Sequence, residues 1–203
     1  MIHTTILASG GLDSTTCIAY YLAQGYPVRA VWVDYGQPAA LVEGAASERV
    51  CAHYGIPLEK VTVSGITWPQ LDGPLFEYRA RNLTLAALAF NTIPVDATLI
   101  ALGIHSGTPF ADCQPDFVEQ LDRLLDILSE GTVRLDCPFL HWSKLEIASY
   151  AQAHAVPFDL TYSCERGLPA GCQECEKCRD LLAIMRALRS EPALGDDGTS
   201  KPR

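Results

Sequence analysis

Residues 4–17 read Thr4-Thr5-Ile6-Leu7-Ala8-Ser9-Gly10-Gly11-Leu12-Asp13-Ser14-Thr15-Thr16-Cys17. Thr4 to Ala8 is a short β-branched and apolar run, the pattern of a buried strand. It breaks at two adjacent glycines, which let a backbone approach an anion closely and adopt positive φ. A helix over Ser14 to Gln24 follows and ends at Gly25. Its first turn aims free N–H groups and the positive end of its dipole back at the loop. Ser9, Ser14 and Thr15 add hydroxyl donors, so the loop suits a pyrophosphate; a tight turn before a helix is the plainer alternative. The loop has no lysine and its glycines adjoin, so it is not a G-x-x-x-x-G-K-[ST] phosphate loop.

Outward from this stretch, strands and helices alternate. The pattern predicts strands over Val28–Asp34, Leu58–Val63, Thr98–Ile104 and Val133–Cys137. It predicts helices over Ala39–Tyr54, Asn82–Asn91, Asp116–Ser129, Ser143–His154 and Arg179–Arg189. Ser143 with Glu146 three residues on is a capping-box pattern. Alternation of this kind implies an α/β fold, with a parallel sheet of about five strands flanked by helices. Ligands in such sheets bind beyond the carboxyl ends of the strands, which directs attention to the loops after Ala8, Asp34 and Gly103. The irregular stretch Ser64–Tyr78, with Gly65, Pro69, Gly73 and Pro74, reads as a lid, a binding loop or a plain surface loop. The tail from Glu191 is polar and rich in Gly and Pro, and is expected to be disordered. The expected organisation is a nucleotide-binding α/β domain over 1–160, a four-cysteine segment and helix over 161–190, and the tail 191–203.

The 203 residues are 48% hydrophobic and 19% charged, which excludes global disorder. With 15 Lys and Arg against 24 Asp and Glu, the formal charge is −9. That acidity argues against direct nucleic-acid binding, which needs a positive surface. No apolar run is long enough to span a membrane and the first residues lack a secretory pattern, so a cytoplasmic location is expected. Thiols there stay reduced, so the eight cysteines need another explanation than disulfides. Cys164-x7-Cys172-x2-Cys175-x2-Cys178 has the spacing of a tetrahedral Zn²⁺ site with a structural role. Buried or redox-labile thiols and an iron–sulfur cluster are the alternatives.

The strand–SGGLDS–helix unit resembles the PP-loop of ATP pyrophosphatases, which cleave ATP between its α- and β-phosphates and activate an oxygen as its adenylate. With the cysteine segment, the resemblance narrows to the 7-cyano-7-deazaguanine synthase family, from about Thr5 to Arg189. Ser9 to Cys17 matches its phosphate loop. Asp34-Tyr35-Gly36-Gln37 follows the second strand as in the family, and Ala80-Arg81-Asn82 matches the start of its central helix. Asp112-Cys113-Gln114-Pro115-Asp116-Phe117 matches a D-C-x-P-[DE]-F segment. Cys137-Pro138-Phe139-Leu140 with Lys144-Leu145-Glu146-Ile147 matches T-P-L…K-x-E-I. Leu160 to Cys164 leads into the cysteines as in the family.

The resemblance implies a ligase that uses ATP to adenylate 7-carboxy-7-deazaguanine. Ammonia gives the amide, and a second ATP activates the amide on the way to the nitrile, a step of queuosine biosynthesis. It implies that Ser9, Gly10, Gly11, Leu12, Asp13, Ser14 and Thr15 bind ATP, with Asp34 and Gln37 bracketing the nucleotide. Asp13 would hold Mg²⁺, order the loop or cap the helix. Arg81 and Lys144 are candidate catalytic cations, or members of surface ion pairs. Arg81, Asn82 and Asp112 are candidate substrate contacts, Asp112 by accepting from the guanine-like edge. Family members often form homodimers, and the resemblance extends that expectation here.

Three features depart from the family. Pro38, Ala39 and Ala40 stand where basic residues are usual. The loop Gly103–Cys113 is shorter and lacks a D-Y-S-G-Y-P run, and the loop before the central helix is short. A second reading is therefore a divergent ligase that stops at the amide, or that joins the activated acid to another amine on a small molecule or a partner protein. His105 falls in the altered loop, and a lone histidine is more often structural. A tRNA-modifying PP-loop enzyme and a non-catalytic scaffold are weaker alternatives: the former wants a basic extension, the latter has no use for an intact SGGLDS loop.

Overall fold

The computed structural model describes residues 3–65, 78, 80–93 and 98–190. Most of the irregular 64–78 stretch and the tail from 191 lie outside the described residues. The strands are β1 (His3–Leu7), β2 (Val28–Asp34), β3 (Leu58–Thr62), β4 (Thr98–Ala101) and β5 (Val133–Asp136). They form one sheet in the order β3-β2-β1-β4-β5, all parallel. The helices are α1 (Leu12–Ala23), α2 (Ala40–Tyr54), α3 (Arg81–Thr92), α4 (Pro115–Leu128), α5 (Lys144–Ala153) and α6 (Glu176–Ser190).

Successive side chains of a strand point to opposite faces, and β1 shows both faces covered. Ile6 joins a core with Ile18 and Tyr21 of α1, Val50 of α2 and Ile147 of α5. Its neighbour Leu7 packs against a second core, with Ala86 and Ala89 of α3 and Leu121 and Leu125 of α4. The scattered cysteines Cys17, Cys51, Cys113 and Cys137 are buried and unbridged, serving as small apolar side chains. Asp122 of α4 clamps this helix to β5 by accepting from Arg134 Nε (2.9 Å) and from the Leu135 N–H (2.8 Å).

Helix ends follow local chemistry. The expected capping box starts α5: Glu146 N–H donates to Ser143 Oγ (3.2 Å) and Ser143 N–H to Glu146 Oε2 (2.7 Å). Gly55, at φ 64°, closes α2 in the left-handed region. Most bounds differ from the sequence expectation by a residue or a few, and two of the differences bear on the site. Helix α1 starts at Leu12, because Gly11 is extended (φ −82°, ψ 169°) and its carbonyl already accepts from Thr15 N–H at 3.0 Å. Strand β4 stops at Ala101 although Leu102 and Ile104 continue the apolar run. Beyond it Gly103 presses on α1, where a Cβ would lie 2.7 Å from the Asp13 carbonyl oxygen.

Strands β1 to β3 build the sheet in one direction and β4 and β5 build it in the other. The order therefore reverses between β1 and β4, and the loops after these two strands part to leave a crevice. Among the described residues no helix is long and apolar enough to cross a membrane.

Candidate active site

A cavity of about 270 Å³ occupies that crevice. Ser9, Gly11, Leu12, Asp13 and Ser14 line it from the β1–α1 loop. The first-turn N–H groups of a helix have no intrahelical acceptor, and here they stand at the cavity wall. The Ser9 and Ser14 hydroxyls lie 3.2 Å apart, and Ser14 Oγ donates to the Gly11 carbonyl at 3.1 Å. This internal bonding holds the loop in the shape of a cradle.

The two glycines do different work. Gly10 does not line the cavity: it has φ 72°, and a Cβ on it would meet Ala46 Cβ and Ser47 N of α2, both at 2.8 Å. It is where the loop seats on α2. Gly11 has an ordinary φ and faces the cavity. Thr15 is fully buried behind the loop, with its hydroxyl unpartnered.

Three cations line the same cavity. Lys144, at the start of α5, donates from Nζ to Asp13 Oδ2 at 2.8 Å. The other carboxylate oxygen, Oδ1, is buried and receives no hydrogen bond. Arg81 comes from the start of α3 and is hydrogen-bonded to Tyr35. Burial works against its charge, but Tyr35 and the Asp112 carboxylate hold its pKa above the usual value. Lys177 reaches the cavity from α6.

Acidic groups line the cavity as well. Burial raises the pKa of Glu43, which accepts from Gln37 Nε2 at 2.9 Å. Burial likewise raises Glu165, with Lys177 opposing it, and pushes Tyr35 up to about 12, with Arg81 opposing it.

The remaining sequence-derived residues fall as follows. Gln37 lines the cavity but is spent on its own loop, donating to Val33 O and accepting from Tyr35 N–H at 2.9 Å. Asp34 accepts from Gly36 N–H at 3.0 Å and does not line the cavity. Asp112 is also off the lining. Its Oδ2 accepts from the Asn82 N–H at 2.9 Å, closing the N-terminus of α3, while Asn82 Nδ2 donates back to the Asp112 carbonyl at 2.9 Å. Asn82 itself reaches the cavity.

The four cysteines come together. Their sulfur atoms all lie within 4.8 Å of one another, and Cys172 and Cys178 sulfurs are 3.9 Å apart. A tetrahedral ion with metal–sulfur bonds of about 2.3 Å needs sulfur separations of roughly 3.8 Å, so the four fit one zinc-sized ion. Backbone N–H groups already aim at the sulfurs, as Cys175 N–H does at Cys172 Sγ (3.2 Å). Burial opposes ionisation of Cys164, yet the N–H groups of Arg166, Cys172 and Leu168 hold its pKa at about 6.

The segment is part of the cavity wall. Tyr162 N–H donates to the Gly10 carbonyl at 2.8 Å, and Cys164 and Cys178 pack with Ala39 and Ala46 beside α2. From there α6 presents Lys177, Asp180, Leu181 and Ile184 to the cavity. Sequence reading did not name Lys177, Asp180, Glu43 or Glu165, and gave Tyr35 only as part of the Asp34–Gln37 run, with no role in the site. The i, i+3, i+4, i+7 spacing of the α6 residues marks one helix face, though not what that face meets.

The family model described as "Queuosine biosynthesis protein QueC" matches residues 3–70 and 77–185. The chain belongs to the 7-cyano-7-deazaguanine synthase (QueC) family. A 7-cyano-7-deazaguanine synthase of Pseudomonas putida is 33% identical over 205 residues, covering 87% of this chain and 90% of the relative. One of Pseudoalteromonas atlantica is 28% identical over 198 residues, with the same coverage. Among solved structures, a predicted subunit of a tRNA methyltransferase from Methanocaldococcus jannaschii shares the fold at a TM-score of 0.52. It is 14% identical and the match covers 75% of this chain and 74% of that one. The QueC match spans the cradle, the Asp13–Lys144 pair and the four cysteines, so the whole described cavity lies within the family region.

Proposed function

We propose that the chain is an ATP-dependent carbon–nitrogen ligase that adenylates 7-carboxy-7-deazaguanine, passes it to ammonia, and carries the amide on to 7-cyano-7-deazaguanine. One observation carries the reading: at the strand-order reversal a helix N-terminus, two serine hydroxyls and three cations face one cavity. Adenylation demands that array. A carboxylate oxygen attacks the α-phosphorus of ATP, and pyrophosphate leaves with the electron pair of the broken P–O bond. The α1 N–H groups and Ser9 and Ser14 would receive the departing phosphates, and Lys144 and Lys177 would neutralise them. Arg81 would face the substrate carboxylate or the adenylate.

Asp13 fits Mg²⁺, because its buried Oδ1 has no donor and hard cations take such oxygens. Bound with ATP, Mg²⁺ would offset phosphate charge. Zn²⁺ in the four-cysteine site would have no open position and would hold α6 in place. Asp34, Gln37 and Asp112 enter this reading as residues that shape the walls. The chain is read as a cytoplasmic enzyme of small molecules, with residues 1–160 and 161–190 sharing one active site. Its charge of −9 supports the absence of a nucleic-acid partner.

A second reading is favoured by one observation. The expected reader of the guanine-like edge, Asp112, spends a carboxylate oxygen on Asn82, in a loop shorter than the family's. The activated acid would then stop at the amide or go to a different amine, on a small molecule or on a partner protein. Pyrophosphate release from ATP, measured with and without 7-carboxy-7-deazaguanine and ammonia, tests the ligase. A mass spectrum of the product separates nitrile, amide and conjugate. Release that ignores the acid would refute both readings.

A further inference from the structure

His105 lies in the loop after β4, at the reversal point, and is one of the residues that line the cavity. Only 6% of the residue is exposed. The loop is fixed beside it, since Ser106 N–H donates to the Leu140 carbonyl at 2.8 Å. His105 Nδ1 is buried and has no hydrogen-bond partner. A buried polar atom without a partner is costly and calls for an explanation. Gly107 is adjacent: a Cβ there would stand 3.0 Å from Nδ1, so the loop leaves that nitrogen uncrowded only because residue 107 has no side chain.

Several other ionisable groups of the cavity are already committed: Asp13 is paired with Lys144, Glu43 takes the Gln37 amide, and Tyr35 is tied to Arg81. Position also favours His105. The groups that act on its charge are Asp13 of α1, Lys144 of α5, and Lys177 and Asp180 of α6, which places it at the phosphate end of the cavity. That is where an acyl–phosphate bond would form and break.

Resting on the ligase reading above, we propose that His105 is the catalytic base of the amine-transfer half-reaction. The nitrogen lone pair of ammonia attacks the adenylated carboxyl carbon, and the carbonyl π pair moves to oxygen. The attacking nitrogen, now positive and acidic, gives one proton to the His105 imidazole. The carbonyl re-forms and the C–O bond to AMP breaks with its electron pair on AMP. The products are the amide, AMP and one proton held on His105. The base must be neutral to act. Burial, together with Lys144 and Lys177, keeps the His105 pKa below its usual value despite Asp13 and Asp180, so a lone pair is available at neutral pH.

The test separates the two half-reactions in the full-length chain with its metal. ATP–pyrophosphate exchange with 7-carboxy-7-deazaguanine reads adenylation. Amide formation with ammonia and hydroxamate formation with hydroxylamine read transfer. Hydroxylamine is far less basic than ammonia, so its adduct sheds a proton more readily and depends less on a base. For His105→Gln and His105→Asn, exchange should fall at most about threefold, while ammonia-dependent amide formation should fall about 100-fold or more. Hydroxamate formation should fall less than tenfold. An equal fall with both nucleophiles, an unchanged ammonia rate, or loss of exchange in both variants would overturn the assignment. No exchange in the unaltered chain would overturn the ligase reading itself, and this assignment with it.

Discussion

Gly10 and Gly11 adjoin in the sequence but carry opposite loads, and alanine at each should separate fold from chemistry. Gly10 has φ 72°, and a Cβ on it would lie 2.8 Å from Ala46 Cβ and Ser47 N and 2.9 Å from Glu43 O. Two of these three atoms are backbone and cannot swing aside. A left-handed conformation costs a non-glycine residue about 1–2 kcal/mol, and overpacking of a fixed core adds about 1–3 kcal/mol. Gly10→Ala should therefore destabilise the chain by about 2–5 kcal/mol. For a domain of this size 1 kcal/mol moves the midpoint by about 2–4 °C, so thermal unfolding should fall by roughly 4–20 °C. Gly11→Ala meets only the Ser9 hydroxyl at 3.3 Å and Tyr162 O at 3.5 Å, at an ordinary φ. Its cost should be that of a poorer helix cap, about 1 kcal/mol or less. Its methyl group, however, would enter the cavity where the phosphates pass, so substrate-dependent pyrophosphate release should drop by about tenfold or more, roughly 1.4 kcal/mol of transition-state binding. Thermal unfolding followed by circular dichroism and a pyrophosphate assay on both variants decide the matter. If Gly10→Ala melts like the parent chain, or Gly11→Ala keeps full turnover, the two glycines do not divide fold and chemistry between them.

Asp13→Ala should leave the fold intact, since its pair with Lys144 is partly exposed and such pairs contribute little to stability; AMP formation should be lost, and unchanged turnover would remove the phosphate-loop assignment. Metal analysis should find about one zinc per chain. Cys172→Ala should lose it and melt earlier, and a metal-free chain that melts normally would contradict the four-cysteine site. Asp122 gives a pH prediction. The hydrogen bond from Arg134, aided by the Leu135 N–H, holds its carboxyl below the usual carboxylate range. A depressed carboxylate contributes stability above its unfolded pKa and loses it as pH falls through the folded value. Asp122→Asn should thus be less stable at pH 7, and urea titrations should show the gap closing in acid; a gap that persists below the folded pKa would refute it.

The sheet was legible because its central strands are buried on both faces and read as runs of apolar and β-branched residues, broken inside β2 only by Arg29. The same signal misled at β4. Leu102 is buried and Ile104 packs against the α3–α4 core without belonging to the sheet, and hydropathy records burial rather than pairing. The cradle and the cysteine cluster were legible since each is local, with ligand atoms a few residues apart. Asp34, Gln37 and Asp112 show the limit of that locality. A carboxylate or amide at the carboxyl edge looks the same in sequence whether it faces a ligand or a backbone N–H. Asp34 turned to Gly36, Gln37 to Val33 and Glu43, and Asp112 to Asn82, 30 residues away. Lys177 and Asp180 could not be linked to the cradle from sequence, because their place depends on how the knuckle docks.

That docking makes the cysteine segment more than a clasp for the chain end. Tyr162 bridges two sites: its N–H binds the carbonyl of Gly10 in the cradle, and its hydroxyl donates to Leu168 O within the knuckle at 2.9 Å. Two residues later Cys164 is one of the four clustered cysteines, and the helix that starts at Glu176 and holds Cys178 brings Lys177 and Asp180 to the same cavity. An error in knuckle geometry is therefore passed along both arms to the cradle, where, on the ligase reading, small displacements would be expensive in rate. The apolar seam of α6, Ile184 and Leu188 against Ala148 and Ala151 of α5, anchors the helix but leaves its first turn to be set by the cysteines. The geometry of the four cysteines and the placement of Lys177 in the cavity are thus set together, through the first turn of one helix.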